Sequence, residues 1–301
     1  MTDELEGLLA TGERAAFHGR PGDGVPPLRR AVELAHAQGR EDEATAATWL
    51  LGVNLGAAGR YGSALSELAA LRDHPGDLPT RRLFASLAAS TSASVHRQLG
   101  RHQPARELDE RALELGGEAE EAVFDAHLGL AADAVGLAEV DPARAELATA
   151  ATLAAGRVDW WRQRVRLNWV RSEIALLGGD ADEAIAAAEK AVVLAEESGA
   201  PRHVAKGLLF LGVSQLQADQ AGDAAGTLRR AAMLAESLGC LPLLWPSRAM
   251  LGAMLAADDP DQAAKHLSGA RSAVLAIAAD LPDDLKQGWL GRPDISALLE
   301  G

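Results

Sequence analysis

The chain has 301 residues and a formal net charge of −14 at pH 7, with 29 basic and 43 acidic side chains. An excess of negative charge is repelled by nucleic-acid phosphates and by anionic membrane surfaces, so neither is expected as a partner. The lone Cys240 excludes an internal disulfide framework and favours a reducing compartment, for which we predict the cytoplasm. The acidic start MTDELEGLL predicts no signal peptide, and no apolar run approaches the roughly 20 residues that span a bilayer.

A repeat of about 40 residues organises the sequence. Each unit has an anchor residue, usually alanine, followed by large apolar residues four and ten positions later and a small residue seven positions later. Successive anchors are 40, 41, 38, 41, 40 and 39 residues apart. This period predicts stacked helical hairpins, because a single hairpin cannot bury both of its apolar faces. The anchors are Gly24, Ala64, Ala105, Ala143, Ala184, Ala224 and Ala263.

In chain order, residues 1–20 predict the first helix of the first hairpin, and Pro21–Pro27 predicts the turn that follows it. We expect the second helices to begin near the anchors. A small residue stands twelve positions before each anchor except the last, which predicts a close approach of the two helices in a pair. These small residues are Gly12, Gly52, Ala93, Ala131, Ser172 and Gly212.

The clearest hairpin lies in residues 178–212. Asp180 and Asp182 offer side-chain oxygens to a helix N-terminus, and Gly199 followed by Pro201 predicts where that helix ends. Towards the C-terminus, a last helix is expected after Ala270, reaching about Asp280. Residues 281–301 retain several large apolar residues, so we expect a capping tail that packs on the last repeat.

Two segments, Leu51-Gly52…Ala64-x3-Leu68 and Leu211-Gly212…Ala224-x3-Leu228, resemble the tetratricopeptide-repeat signature. The period of 38–41 is longer than the usual 34, and the signature tryptophan, tyrosine and proline are mostly missing; this form is similar to the long repeats of bacterial regulatory proteins. The resemblance covers essentially the whole chain. It implies an all-α, right-handed α-solenoid of about seven helix-turn-helix repeats over residues 1–280, and a protein- or peptide-binding scaffold.

Catalytic and metal-binding motifs are missing from the sequence. It contains no dinucleotide-binding glycine motif, no P-loop, no HExxH and no CxxC. The histidines are scattered over different hairpins, and the aspartates at the turns are interpreted as helix caps rather than calcium ligands. We therefore expect no catalytic residues, no metal, no cofactor and no enzymatic activity.

Residues 157–171, RVDWWRQRVRLNWVR, carry five arginines and three tryptophans in an otherwise acidic protein. One interpretation is structural, with the arginines paired to acidic second helices and with Trp160 and Trp161 in the core. The other is functional, because arginine and tryptophan are the residue types that most often anchor an interface.

The functional interpretation draws on the resemblance, which implies that the first helices of the pairs line a concave groove. Basic and aromatic residues predominate at the corresponding positions, which favours an acidic peptide as the ligand. Small-metabolite sensing and self-association into a homo-oligomer are the alternatives. The residues predicted to contact the ligand are Trp49, Ser90, Ser94, Arg97, Arg162, Arg166, Trp169, Lys206, Trp245 and Arg248.

Overall fold

The computed structural model describes residues 4–301, and these residues form helices joined by short turns, without any strand. The all-α fold class is thereby confirmed. The helices are α1 (Glu4–His18), α2 (Pro21–Ala37), α3 (Glu41–Ala58), α4 (Tyr61–Asp73), α5 (Pro79–Gln98), α6 (His102–Gly116), α7 (Glu120–Gly136), α8 (Val140–Leu153), α9 (Trp161–Leu177), α10 (Ala181–Glu197), α11 (Pro201–Gln217), α12 (Ala221–Leu238), α13 (Leu241–Leu255), α14 (Pro260–Asp280), α15 (Asp283–Leu290) and α16 (Pro293–Glu300).

The repeat anchors lie in the even-numbered helices α2 to α14, three residues after each of these helices begins. From Ala64 onwards, the amide of every anchor donates to the carbonyl four residues earlier, at 2.9–3.1 Å. The anchor thus closes the first hydrogen-bonded turn of its helix, so the helices begin slightly before the positions that the sequence pattern predicts. Asp180 and Asp259 cap α10 and α14 through side-chain oxygens, as expected for turn aspartates.

Close packing of the two helices explains why a small residue stands twelve positions before the anchor. A methyl group added at Gly212 would lie 2.6 Å from Cγ of Leu228, the large apolar residue that follows the anchor Ala224. Gly52 makes the same approach to Leu68. In the fifth pair, Ser172 fills the position and its hydroxyl donates to the carbonyl of Ala184 at 3.0 Å. Each contact brings the two helices of a pair close together.

Two local predictions are wrong. Pro21–Pro27 is not a turn, because α2 begins at Pro21 and continues through Pro26 and Pro27. Proline is compatible with the first helical position, and the carbonyls that the two later prolines leave without helical bonds belong to the exposed Gly22 and Asp23. Near the C-terminus, residues 260–280 form one continuous helix, so no separate helix begins after Ala270.

The helices group into two compact units. Unit 1 comprises α1 to α8 and ends at Arg157; unit 2 comprises α9 to α16 and begins at Val158. Within unit 2, the C-terminal helices contact α14. Trp289 donates its indole N–H to the carbonyl of Val274 at 3.4 Å, and Arg271 donates to the carbonyl of Leu298 at 2.6 Å. These bonds hold both α15 and α16 against α14.

The close contact in the sixth pair is testable by substitution. Gly212→Leu should lower the free energy of unfolding by more than about 2 kcal/mol, because overpacking a tight contact typically costs 1–3 kcal/mol. Chemical denaturation of the variant measures the change. Gly226→Leu on the exposed face of α12 is the matched control, since a side chain there meets open space. Equal stability of Gly212→Leu and the wild type would contradict the packing described.

Candidate functional site

The predicted site residues of unit 1 lie on α3 and α5. Trp49 donates its indole N–H to the hydroxyl of Thr91 at 3.2 Å, and its ring lies 5.9 Å from that of Phe84. Ser94 is exposed, whereas Ser90 is buried. Trp49 is therefore held in place by α5, and Ser94 is the member of this group whose side chain is most open to solvent.

Arg97, the basic residue predicted for unit 1, lies in an internal ion-pair cluster. One of its terminal nitrogens, Nη1, contacts a carboxylate oxygen of Asp109, and the same nitrogen lies 3.0 Å from Oδ1 of Asp133. Both aspartates are fully buried. Burial alone would lower the pKa of Arg97, but these two carboxylates raise it. The ion pairs of Arg97 thus stabilise the packing of α5 against α6 and α7.

Unit 2 brings together four of the predicted residues on two first helices. Arg162, Arg166 and Trp169 belong to α9, and Lys206 belongs to α11. The ammonium of Lys206 lies 4.6 Å from the ring centroid of Trp169, within the range of a cation–π interaction. Trp169 also packs in the apolar contact between α9, α10 and α11, beside Val165 and Leu208. We call Arg162, Arg166, Trp169, Arg202, His203 and Lys206 the cationic patch.

Sequence reasoning missed two members of this patch, Arg202 and His203, which lie in the first turn of α11. His203 is buried, stacks on Trp169 at a centroid distance of 5.3 Å, and meets the ring of Trp161 edge-on at 5.1 Å. Arg202 and Lys206 are four residues apart and so share one helix face, which is the signal that could have found Arg202.

Four positively charged side chains act on His203. Burial lowers its pKa well below the ordinary value of 6.5, and then Arg202, Arg162, Arg166 and Lys206 each lower it further. Burial likewise lowers the pKa of Arg202; Cys240 opposes this shift, and Arg166 and Arg162 add to it. His203 is therefore neutral at physiological pH, and its neighbours supply the positive charge of the patch.

The indole N–H of Trp169 adds a polar requirement to this patch. The side chain is 5% exposed, and its Nε1 has no hydrogen-bond acceptor among residues 4–301. A buried donor without an acceptor costs about 1–3 kcal/mol.

The two predicted residues on α13 are engaged in packing within unit 2. Trp245 meets Trp289 of α15 edge-on, with ring centroids 5.8 Å apart and an interplanar angle of 86°. Arg248 pairs with Glu236 of α12 at 2.7 Å. These contacts fix the positions of α12, α13 and α15, and they leave the cationic patch as the strongest concentration of predicted residues.

Metal-ligand clusters and membrane-spanning helices are two features that do not occur among the described residues. Residues 4–301 contain no group of three or more histidine, cysteine, aspartate or glutamate side chains arranged to hold a metal ion. None of the described helices combines the length and apolarity that a membrane crossing needs.

Several solved structures share the fold. A Rap protein complexed with competence and sporulation factor has a TM-score of 0.65 at 12% identity, covering 99% of this chain and 85% of that one. The APC/C hetero-tetramer Cut9–Hcn1 has a TM-score of 0.54 at 14% identity, covering 95% of this chain and 55% of that one. Aspartyl phosphate phosphatase F from Bacillus subtilis has 0.52 at 13% identity, covering 99% and 81%. No protein-family model and no curated protein matches the chain.

The internal role of Arg97 is testable by its effect on stability. Arg97→Ala should lower the free energy of unfolding by about 3–5 kcal/mol, because it leaves the buried carboxyl groups of Asp109 and Asp133 without their cation. Urea denaturation measures the loss. Arg111→Ala is the control, since its pair with Glu114 is exposed and should change stability by about 1 kcal/mol or less. Similar losses in both variants would show that the Arg97 cluster is not structural.

Proposed function

Because the chain has the fold of tetratricopeptide-repeat proteins, we propose that it is a non-catalytic scaffold that binds an acidic peptide segment at the cationic patch of unit 2. The observation that carries the proposal is the convergence of Arg162, Arg166, Arg202 and Lys206 around one buried histidine. The whole chain has a net charge of −14, so a local concentration of cations is a departure from its general character. A partner rich in carboxylates would be attracted to this local concentration of positive charge.

The chemistry of the patch favours a peptide with both charge and apolar surface. Arginine forks bind carboxylates through paired hydrogen bonds. The rings of Trp161 and Phe210 contact the same apolar cluster and are partly exposed, so they offer surface for an apolar side chain. A sugar would call for more amide and carboxylate groups than the patch contains.

A regulatory role is the second part of the proposal. The Rap protein of similar fold was crystallised with competence and sporulation factor, so this architecture is able to hold a separate factor. We infer that a bound segment acts on this chain by occupying α9 and α11, the first helices of two neighbouring pairs. The chain then serves a regulatory or signalling system through binding rather than through chemistry on the ligand.

The binding proposal is testable with synthetic peptides. Peptides that place aspartate or glutamate beside leucine or phenylalanine should bind, and versions with asparagine or glutamine should bind much more weakly. Arg166→Ala should weaken binding by about 1–3 kcal/mol, the scale of an interface anchor. Calorimetry at two salt concentrations should show weaker binding at higher salt, since the Debye length is about 10 Å at 0.1 M.

The matched control is Arg230→Ala in the same unit, because Arg230 forms an exposed pair with Glu196 on the second helices. This variant should bind as the wild type does. Affinity that neither salt nor Arg166→Ala changes would contradict the proposal. Concentration-dependent association of the chain, without peptide binding, would favour self-association instead.

A further inference from the structure

The buried cluster in unit 1 has an unbalanced charge. Arg97 of α5 brings one positive charge, whereas Asp109 of α6 and Asp133 of α7 bring two carboxyl groups. Both aspartates are fully buried, and each contacts the same arginine nitrogen. Two ionised carboxylates this close in a poorly solvated site repel each other strongly.

The hydrogen bonding of the cluster is also incomplete in the ionised form. Oδ1 of Asp109 and Oδ2 of Asp133 are buried and accept no hydrogen bond of normal geometry within residues 4–301, although the buried Ser90 hydroxyl of α5 acts on Asp109 and lowers its pKa. The two carboxyl groups are neighbours, because each places an oxygen against the same nitrogen of Arg97. One proton on Asp109, donated to Asp133, would give both residues a partner and would leave the cluster neutral, because one carboxylate then balances one guanidinium.

We propose that Asp109 and Asp133 hold one shared proton at neutral pH, and that this proton couples the packing of α5, α6 and α7. Its release at higher pH leaves an uncompensated buried negative charge at the point where the three helices meet. The packing of this part of unit 1 is therefore sensitive to pH close to neutrality. This inference concerns unit 1 and does not depend on peptide binding at the cationic patch.

Position in the repeat explains why the cluster is exceptional. Asp109 stands four residues after the anchor Ala105, where most other repeats have a leucine such as Leu68 or Leu228. Gly129 of α7 has no side chain at the point facing it; a methyl group there would collide with the carboxyl of Asp109. The site thus accommodates a carboxyl group in place of the usual apolar contact.

Other charged groups around the cluster do not balance the second carboxyl. Burial raises the pKa of Asp133; Arg106 of α6 opposes this shift, yet it forms its own ion pair with Glu139, the residue just before α8. His127 of α7 pairs with Glu146 of α8. His96 of α5 is partly buried, and burial lowers its pKa to about 4, so it is neutral. The ring of His102 packs against Gly136, one turn beyond Asp133.

The direction of the pH effect follows from the two states of the chain. Burial raises the pKa of Asp109 from 3.8 to about 7; Asp133 adds to this shift, whereas Arg97 and the Ser90 hydroxyl oppose it. The folded chain therefore keeps a proton that the unfolded chain releases near pH 3.8. Consequently this group's contribution to stability is fully present below pH 3.8 and is lost as the pH rises to about 7.

Buried histidines act in the opposite direction, so a single melting curve is not decisive. The pKa of His96 falls from 6.5 to about 4 in the folded chain, so its contribution to stability rises with pH over that interval. The informative quantity is the difference between the wild type and Asp109→Asn, because the histidines contribute equally to both. Asparagine has a similar shape, can donate to Asp133 and does not titrate.

The test is thermal unfolding of the full chain from about pH 5 to about pH 8. Asp109→Asn should gain several degrees in Tm relative to the wild type as the pH rises across this range. Asp141→Asn, which alters a side chain that is 94% exposed, should follow the wild-type curve. Parallel curves for the wild type and Asp109→Asn would overturn the proposal.

A direct titration provides a second readout that needs no variant to fold. The carboxyl carbon of Asp109 in the wild type, followed by nuclear magnetic resonance, should titrate near neutral pH. Amide hydrogen exchange in α5, α6 and α7 should accelerate across the same interval by more than the intrinsic pH effect, while α11 and α12 follow the intrinsic rate. A carboxyl that titrates near its ordinary value of 3.8 would overturn the shared proton.

Discussion

The close approach of two helices at a small residue is the contact on which the rest of the structure depends. Gly12, Gly52 and Gly212 each leave room for a leucine of the second helix in the same pair. Because six of the seven pairs have a small residue at this position, the first helices present their side chains at regular positions along the chain. Features that break the rule are therefore informative, and the Asp109 cluster is the strongest of them.

Much of the fold is accessible from the sequence because the packing constraint repeats. A period of about 40 residues, with a small residue and a leucine at fixed offsets, identifies the pairs without knowledge of any long-range contact. Helix boundaries are harder to predict from the sequence. Pro26 and Pro27 indicate a turn, but solvent at the exposed start of α2 satisfies the carbonyls that they leave without helical bonds.

The candidate site was only partly predictable. Arg162, Arg166, Trp169 and Lys206 stand out because their residue types are unusual for this chain, and the structure brings them near one another on α9 and α11. Arg97 met the same criterion, yet its charge is engaged by carboxylates 12 and 36 residues further along the chain. Sequence position on a first helix does not reveal such partners on the following helices.

Amide hydrogen exchange of the full chain, with and without a bound acidic peptide, tests the central functional claim most directly. Our account predicts that the peptide protects amides of α9 and α11, around Trp169 and the first turn that contains Arg202 and His203. Unit 1 should exchange at the same rate in both samples. Protection confined to unit 1, or to α14, α15 and α16, would contradict the assignment of the cationic patch as the binding site.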